Sequence, residues 1–138
     1  MSINKKGYFL FTKKKGKIIP NGVSLEKHES ETVVFFTDLG YDIELIPPSN
    51  NPKTKTPDFL MNGVEWEMKS PHGKSKNTLE HIFKRAKRQS ENIIIDLTHA
   101  KIAEDIAVKE IKRRFAQSKS CKRLKIITKD HRLLEFKK

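Results

Sequence analysis

Asn92-Ile93-Ile94-Ile95-Asp96-Leu97 is a nearly unbroken apolar run, too short for a helix of its own and rich in β-branched isoleucine. A strand with no polar face has to be covered on both sides, and the usual cover is helical. The run therefore reads as a central strand, and the other elements have to be arranged around it.

Their order fits that demand. Leu25, Thr32, Phe35, Phe36 and Leu39 recur at helical spacing, with Ser24 placed to cap the start and Gly40 to stop the end. Ile43 to Ile46 reads as a short strand ended by Pro47-Pro48, and Ser49 to Pro57 as a polar loop. Asn62-Gly63 is a hairpin turn between Asp58–Met61 and the alternating segment Val64–Lys69. A helix is expected over Asn77–Gln89 with Leu79, Ile82, Phe83 and Ala86 on its buried stripe, and another over Ile102–Ser118. Strands Arg123–Thr128 and Leu133–Phe136, joined by a Lys129-Asp130-His131 turn, close the pattern. The fold class is α/β, a mixed central β-sheet flanked by helices, over residues 24–138, with residues 1–23 as a short hairpin or a loosely held leader.

The chain has 138 residues, with Lys and Arg numbering 29 against 17 Asp and Glu, a formal charge of +12. That excess points to a polyanionic partner, above all nucleic acid. The single cysteine, Cys121, excludes a disulfide framework and a zinc site built on several thiolates, and reads as an inert residue of a protein kept in a reducing compartment. No apolar run approaches the ~20 residues of a membrane span, and Gly7–Phe11 is too short for a signal-peptide core.

The chemistry concentrates on the hairpin. Side chains alternate along a strand, so Glu67 and Lys69 share a face while Trp66 and Met68 point to the core. If Asn62-Gly63 is a two-residue turn, Met61 pairs with Val64 and Asp58 falls opposite Glu67. Two carboxylates and a lysine on one face suit phosphodiester hydrolysis assisted by a divalent cation such as Mg²⁺, with Asp58 and Glu67 as its ligands and Lys69 beside the attacking water. An exposed cross-strand ion pair is the plainer account of Glu67-x-Lys69.

After this strand come Lys74, Lys76, Lys84, Arg85, Lys87 and Arg88 against the one acid Glu80, a track for a phosphate backbone or a solvated helix face. Arg88 and Gln89 are placed to reach the scissile phosphate or an adjacent nucleotide; Ser70, Asn77 and Thr78 to donate to phosphate or cap the helix. The five histidines, His28, His72, His81, His99 and His131, raise a metal-independent ribonuclease mechanism. Their spacing marks no pair, and each reads as a surface residue, with His72 next to the Glu-x-Lys strand the one to test. Asp96 is either a further ligand or a cap for the next turn.

The Pro57-Asp58 … Glu67-Met68-Lys69 arrangement resembles the PD-(D/E)XK, or restriction-endonuclease-like, nuclease superfamily. Over about His28 to Phe136 the resemblance narrows. Glu31-Thr32, Leu39-Gly40-Tyr41-Asp42, Thr56-Pro57-Asp58, Trp66 to Pro71, Ser75 to Thr78, Arg85, Gln89-Ser90, Asn92 to Leu97 and Ile126 to Asp130 follow in the order seen in tRNA-nuclease C-terminal toxin domains of contact-dependent growth inhibition proteins. Met68 stands where leucine or a β-branched residue is commoner. The resemblance implies a restriction-endonuclease-like core and a helix acid, Glu31 or its rival Glu29, completing a catalytic set with Asp58, Glu67 and Lys69. It further implies a monomeric toxin that cleaves tRNA, is held off by a cognate immunity protein, and travels from an exported bacterial protein into a target-cell cytoplasm. A DNA endonuclease of the same fold and a non-catalytic nucleic-acid-binding module are the competing readings.

Overall fold

The computed structural model describes residues 14–138 and, ahead of them, only the antiparallel backbone pairing of β1 (Ser2–Ile3) with β2 (Phe9–Leu10). The main sheet has seven strands in the order β3 (Ile18–Ile19), β4 (Ile43–Leu45), β5 (Phe59–Met61), β6 (Val64–Lys69), β7 (Asn92–Asp96), β8 (Arg123–Ile127) and β9 (Leu133–Lys137). It is mixed: β3/β4, β6/β7 and β7/β8 run parallel, and β4/β5, β5/β6 and β8/β9 antiparallel. Three helices, α1 (Lys27–Asp38), α2 (Lys76–Ala86) and α3 (Glu104–Gln117), supply the cover.

The isoleucine run forms the middle of this arrangement. Every residue of β7 is buried. Alternation sends Ile94 into one core with Val33, Phe36, Phe59, Trp66, Met68 and Ile127. Ile93 and Ile95 enter the other, with Leu79, Phe83, Ile111, Phe115 and Leu124. Each fully buried isoleucine contributes about 1.5–3 kcal/mol relative to an exposed one.

Helix α1 departs from the sequence expectation in its start and in its rotation. Its N-cap is Glu26, not Ser24, because the Glu29 carboxylate accepts the Glu26 N–H at 2.9 Å. The face it buries is Thr32, Val33, Phe36 and Thr37, leaving Phe35 and Leu39 half-buried at its margin. The Thr32 hydroxyl donates to Asp96 Oδ2 at 2.7 Å, a buried bond pinning the helix to the end of β7. Asp96 Oδ1 accepts the Thr98 N–H at 3.0 Å, so this carboxylate caps the turn after β7 and anchors α1. The helix stops at Gly40, at φ 97°, where Gly40 N–H donates to Thr37 O and Tyr41 N–H to Phe36 O.

Residues 14–23 are not a loose leader. β3 is an edge strand of the main sheet, paired with Ile43 and Glu44. Just before it, Gly16 N–H donates to Thr37 O at 2.8 Å, and Lys17 N–H to Asp42 Oδ1 at 2.8 Å. A Cβ on Gly16 would sit 1.7 Å from the Tyr41 carbonyl oxygen, so only glycine passes there. The rest of the expectation for residues 1–23 lies outside the described residues.

The hairpin that carries the site has the expected register. Asn62 and Gly63 have φ of 48° and 83°, the left-handed pair of a two-residue turn, and Met61, Leu60 and Phe59 face Val64, Glu65 and Trp66. Helix α2 is capped by Ser75 rather than Asn77 and ends at Ala86. Residues 87–89 continue as a turn closed by Gln89 N–H to Ala86 O, which directs Gln89 back toward the sheet. Among the described residues no helix is long and apolar enough to cross a membrane.

Candidate active site

One ladder position beyond β5, Asp58 keeps the hairpin register. Its N–H donates to Trp66 O at 3.0 Å, and its Oδ2 accepts the Met68 N–H at 2.8 Å. This sets its carboxyl beside that of Glu67, the central residue on the same face of β6. Glu67 is 1% exposed, and its Oε2 takes two donors, Lys69 Nζ at 2.9 Å and Gln89 Nε2 at 2.6 Å. Its other oxygen, Oε1, is buried with no hydrogen-bond partner. Burial first, and the Glu67 charge second, push the Asp58 carboxyl up to about 7.

Lys69 stands between two openings. One, of about 180 Å³, is lined by Lys55, Lys69, Arg85, Arg88 and Gln89. The other, of about 240 Å³, is lined by His28, Glu29, Met68, Lys69, Ser70, Ile82 and Arg85. Lys69 and Gln89 link the walls of these openings to the buried Glu67 carboxylate, with Asp58 beside it, so carboxylate, ammonium and guanidinium groups meet at one cleft.

The structure thus brings Asp58, Glu67, Lys69, Arg85, Arg88 and Gln89 together. Gln89 does so as a donor to Glu67, and it also lines the basic opening. Glu31 is not brought there. It lines a groove on the outer side of α1 with Lys27, Val34 and Phe35, and its carboxylate meets His99 Nε2 at 2.8 Å, which holds it below its ordinary pKa. The helix docks on Thr32, Val33, Phe36 and Thr37, and this rotation carries Glu31 outward and leaves Glu29 at the cleft. Of the basic track, Lys84 is paired with Glu80 at 3.2 Å. Lys74 and Lys76 are exposed around the start of α2. The Thr78 hydroxyl fills the space over Gly73, where a Cβ would meet it at 2.2 Å. Trp66 is buried beneath Lys125, whose Nζ lies 5.1 Å from the ring centre. Cys121 is buried and its thiol is pushed up to about 11, mainly by desolvation.

Sequence reasoning missed Lys55, and it missed that three histidines meet. His28 and His72 lie edge to face at 5.6 Å between ring centres, and His72 and His99 stack at 5.9 Å with planes 13° apart. A signal was present: His72 and His99 follow the carboxyl ends of neighbouring parallel strands β6 and β7, where open sheets place their ligands.

No curated protein matches the chain. Among solved structures it resembles a chain of a CdiA-CT/CdiI toxin and immunity complex from Burkholderia pseudomallei, with a TM-score of 0.67, 16% identity, and coverage of 89% of this chain and 100% of that one. At that identity the likeness concerns the fold. The family model described as the contact-dependent growth inhibition CdiA C-terminal domain matches residues 55–133, from the loop before Asp58 to the start of β9. More than half of the chain, hairpin and basic helix included, lies within that match, and the chain belongs to the CdiA C-terminal domain family.

Proposed function

We propose that this domain is a toxin endoribonuclease that cleaves tRNA by hydrolysis dependent on a divalent cation, on a restriction-endonuclease-like core of the PD-(D/E)XK type. The observation that carries the reading is the Glu67 carboxylate: buried, held by Lys69 and Gln89 on one oxygen, and unpartnered on the other beside Asp58. An orphaned buried carboxylate oxygen is costly unless something positive occupies it in the working state.

The residues fit a hard cation. Asp58 and Glu67 offer oxygen ligands only, and the described residues hold no group of three His, Cys, Asp or Glu able to bind a metal. One or two carboxylates completed by water and substrate phosphate is the manner of Mg²⁺, unlike the closed shell of structural zinc. When bound, such a cation supplies Lewis-acid stabilisation of the phosphoryl oxygens and acidifies a water. The chain's own groups do the rest. Lys69 presents its ammonium to the charge that develops on phosphorus, and its bond to Glu67 fixes where that ammonium sits. Gln89 holds the Glu67 rotamer by donating to the same oxygen as Lys69. Lys55, Arg85 and Arg88 neutralise and orient the phosphates on either side of the scissile bond. With its carboxyl pushed up to about 7, Asp58 is partly protonated at neutral pH, and a bound cation would favour its carboxylate form.

The choice of tRNA rests on the resemblance of the sequence to tRNA-cleaving toxin domains. A neutralising immunity protein and delivery from an exported protein into a target-cell cytoplasm rest on family membership and on the solved relative being a toxin and immunity complex. Purified protein incubated with total tRNA and with plasmid DNA, each with Mg²⁺ or with EDTA, tests the reading. Mg²⁺-dependent tRNA cleavage is expected, with Lys69→Ala slower by at least ~100-fold, as for loss of a transition-state charge stabiliser. Plasmid cleavage without tRNA cleavage would move the substrate to DNA. Intact RNA and DNA throughout would leave a binding module in place of an enzyme.

A further inference from the structure

The two flanks of the cleft differ in chemistry. On one, Lys55 and Arg88 stand with Lys69, a surface for phosphate. On the other, His28 lines the cavity next to Lys69, and behind it His72 and His99 continue as a row of rings, edge to face and then nearly parallel. Acids surround this row. Glu26 lies 3.5 Å from His28 Nδ1, Glu31 meets His99, and Glu29 lines the same cavity as His28. The two cations of this cavity, Lys69 and Arg85, are shared with the basic opening, while the acids lie among the rings; carboxylates repel phosphate, so the ring side is poorly made for a backbone. Nor is it a metal centre, since the described residues contain no group of three ligands that could hold one. The rings are not core filling either, because His72 and His99 are exposed. What remains is a planar, uncharged ligand that stacks.

We propose that His72 and His99, continued by His28, form a stacking subsite for an unpaired nucleobase next to the scissile phosphate. The proposal deepens the hydrolytic reading and rests on it: Lys69 fixes the phosphate, the basic flank carries the backbone away, and the imidazole flank takes the neighbouring base. Aromatic faces grip unpaired bases in single-stranded RNA recognition, and loss of one such stack is a severalfold to hundredfold effect on affinity. His72 is the central ring of the row, and Glu31 holds its neighbour His99 in orientation.

The test uses the full chain carrying Lys69→Ala, so that bound RNA is not consumed. Two probes are titrated: a short unpaired RNA of mixed sequence, and an abasic ribose-phosphate polymer of equal length and charge. His72→Ala and His99→Ala should each weaken RNA binding roughly tenfold and leave the abasic polymer unaffected, while His72→Phe keeps RNA binding. Equal weakening for both probes would overturn the subsite, since the imidazoles would then act on the backbone or on the fold. Unchanged RNA binding in both alanine variants would overturn it too. The two readings fail separately: cleavage that persists in Lys69→Ala and Asp58→Ala sinks the hydrolytic mechanism, whereas inert catalytic variants beside silent histidine variants sink only the subsite.

Discussion

Asp58 ties the chemistry of the cleft to the stability of the protein. Its carboxyl ordinarily titrates near 3.8 and in the folded chain is pushed up to about 7. The folded state therefore binds this proton more tightly than the unfolded chain, and the contribution is complete below the unfolded value and lost as pH rises through the folded one. In EDTA, thermal melts should show this part of the stability falling between about pH 4 and pH 7. Asp58→Asn keeps an acceptor for the Met68 N–H and removes the second carboxylate, so it should be more stable than the parent at pH 8 by about 1–2 kcal/mol, with no gain at pH 4. Added Mg²⁺ should raise the melting temperature of the parent and not of Asp58→Asn, by mass action on a site the variant lacks. Asp58, Glu67 and Lys69 were legible in the sequence because a strand has a period of two and a two-residue turn has one register. The role of Gln89 was not, since nothing in sequence spacing encodes an amide that leaves a helix end and returns to a carboxylate on a strand.

Helix α1 shows why a correct element can still present the wrong residue. Its stop was legible from Gly40, but its start was not, since Glu26 and not Ser24 caps it. Its rotation was set by a buried hydroxyl–carboxylate bond, Thr32 to Asp96, and by the choice of Val33 and Thr37 over Phe35 and Leu39 for the buried face. A shift of that size exchanges Glu31 for Glu29 at the cleft, and no pattern of apolar residues resolves it. Thr32→Val keeps the shape and removes the donor. It should cost about 1.5–3 kcal/mol in urea unfolding with an unchanged m value, because the bond is buried and its acceptor is a carboxylate. Helix α2 is nearer the opposite case: of the expected stripe Leu79, Ile82, Phe83 and Ala86, all but Ile82 are buried, and Ile82 is half-buried at the cleft.

At the scale of the whole molecule, the formal charge of +12 attracts any polyanion. RNA affinity of the Lys69→Ala protein should fall steeply with salt, and Arg88→Ala should reduce the slope of log affinity against log salt by about one. An exposed lysine that lines neither opening, such as Lys119, should leave the slope nearly unchanged. The same architecture bears on how the molecule comes apart. Near its amino-terminal edge the polypeptide slips beneath the Tyr41 carbonyl at Gly16, through a gap with no room for a methyl group. Alanine at that point would unhitch the marginal strand β3 while β5, β6 and β7 stay laced together, producing a protein frayed at one hem with Asp58, Glu67 and Lys69 still in register.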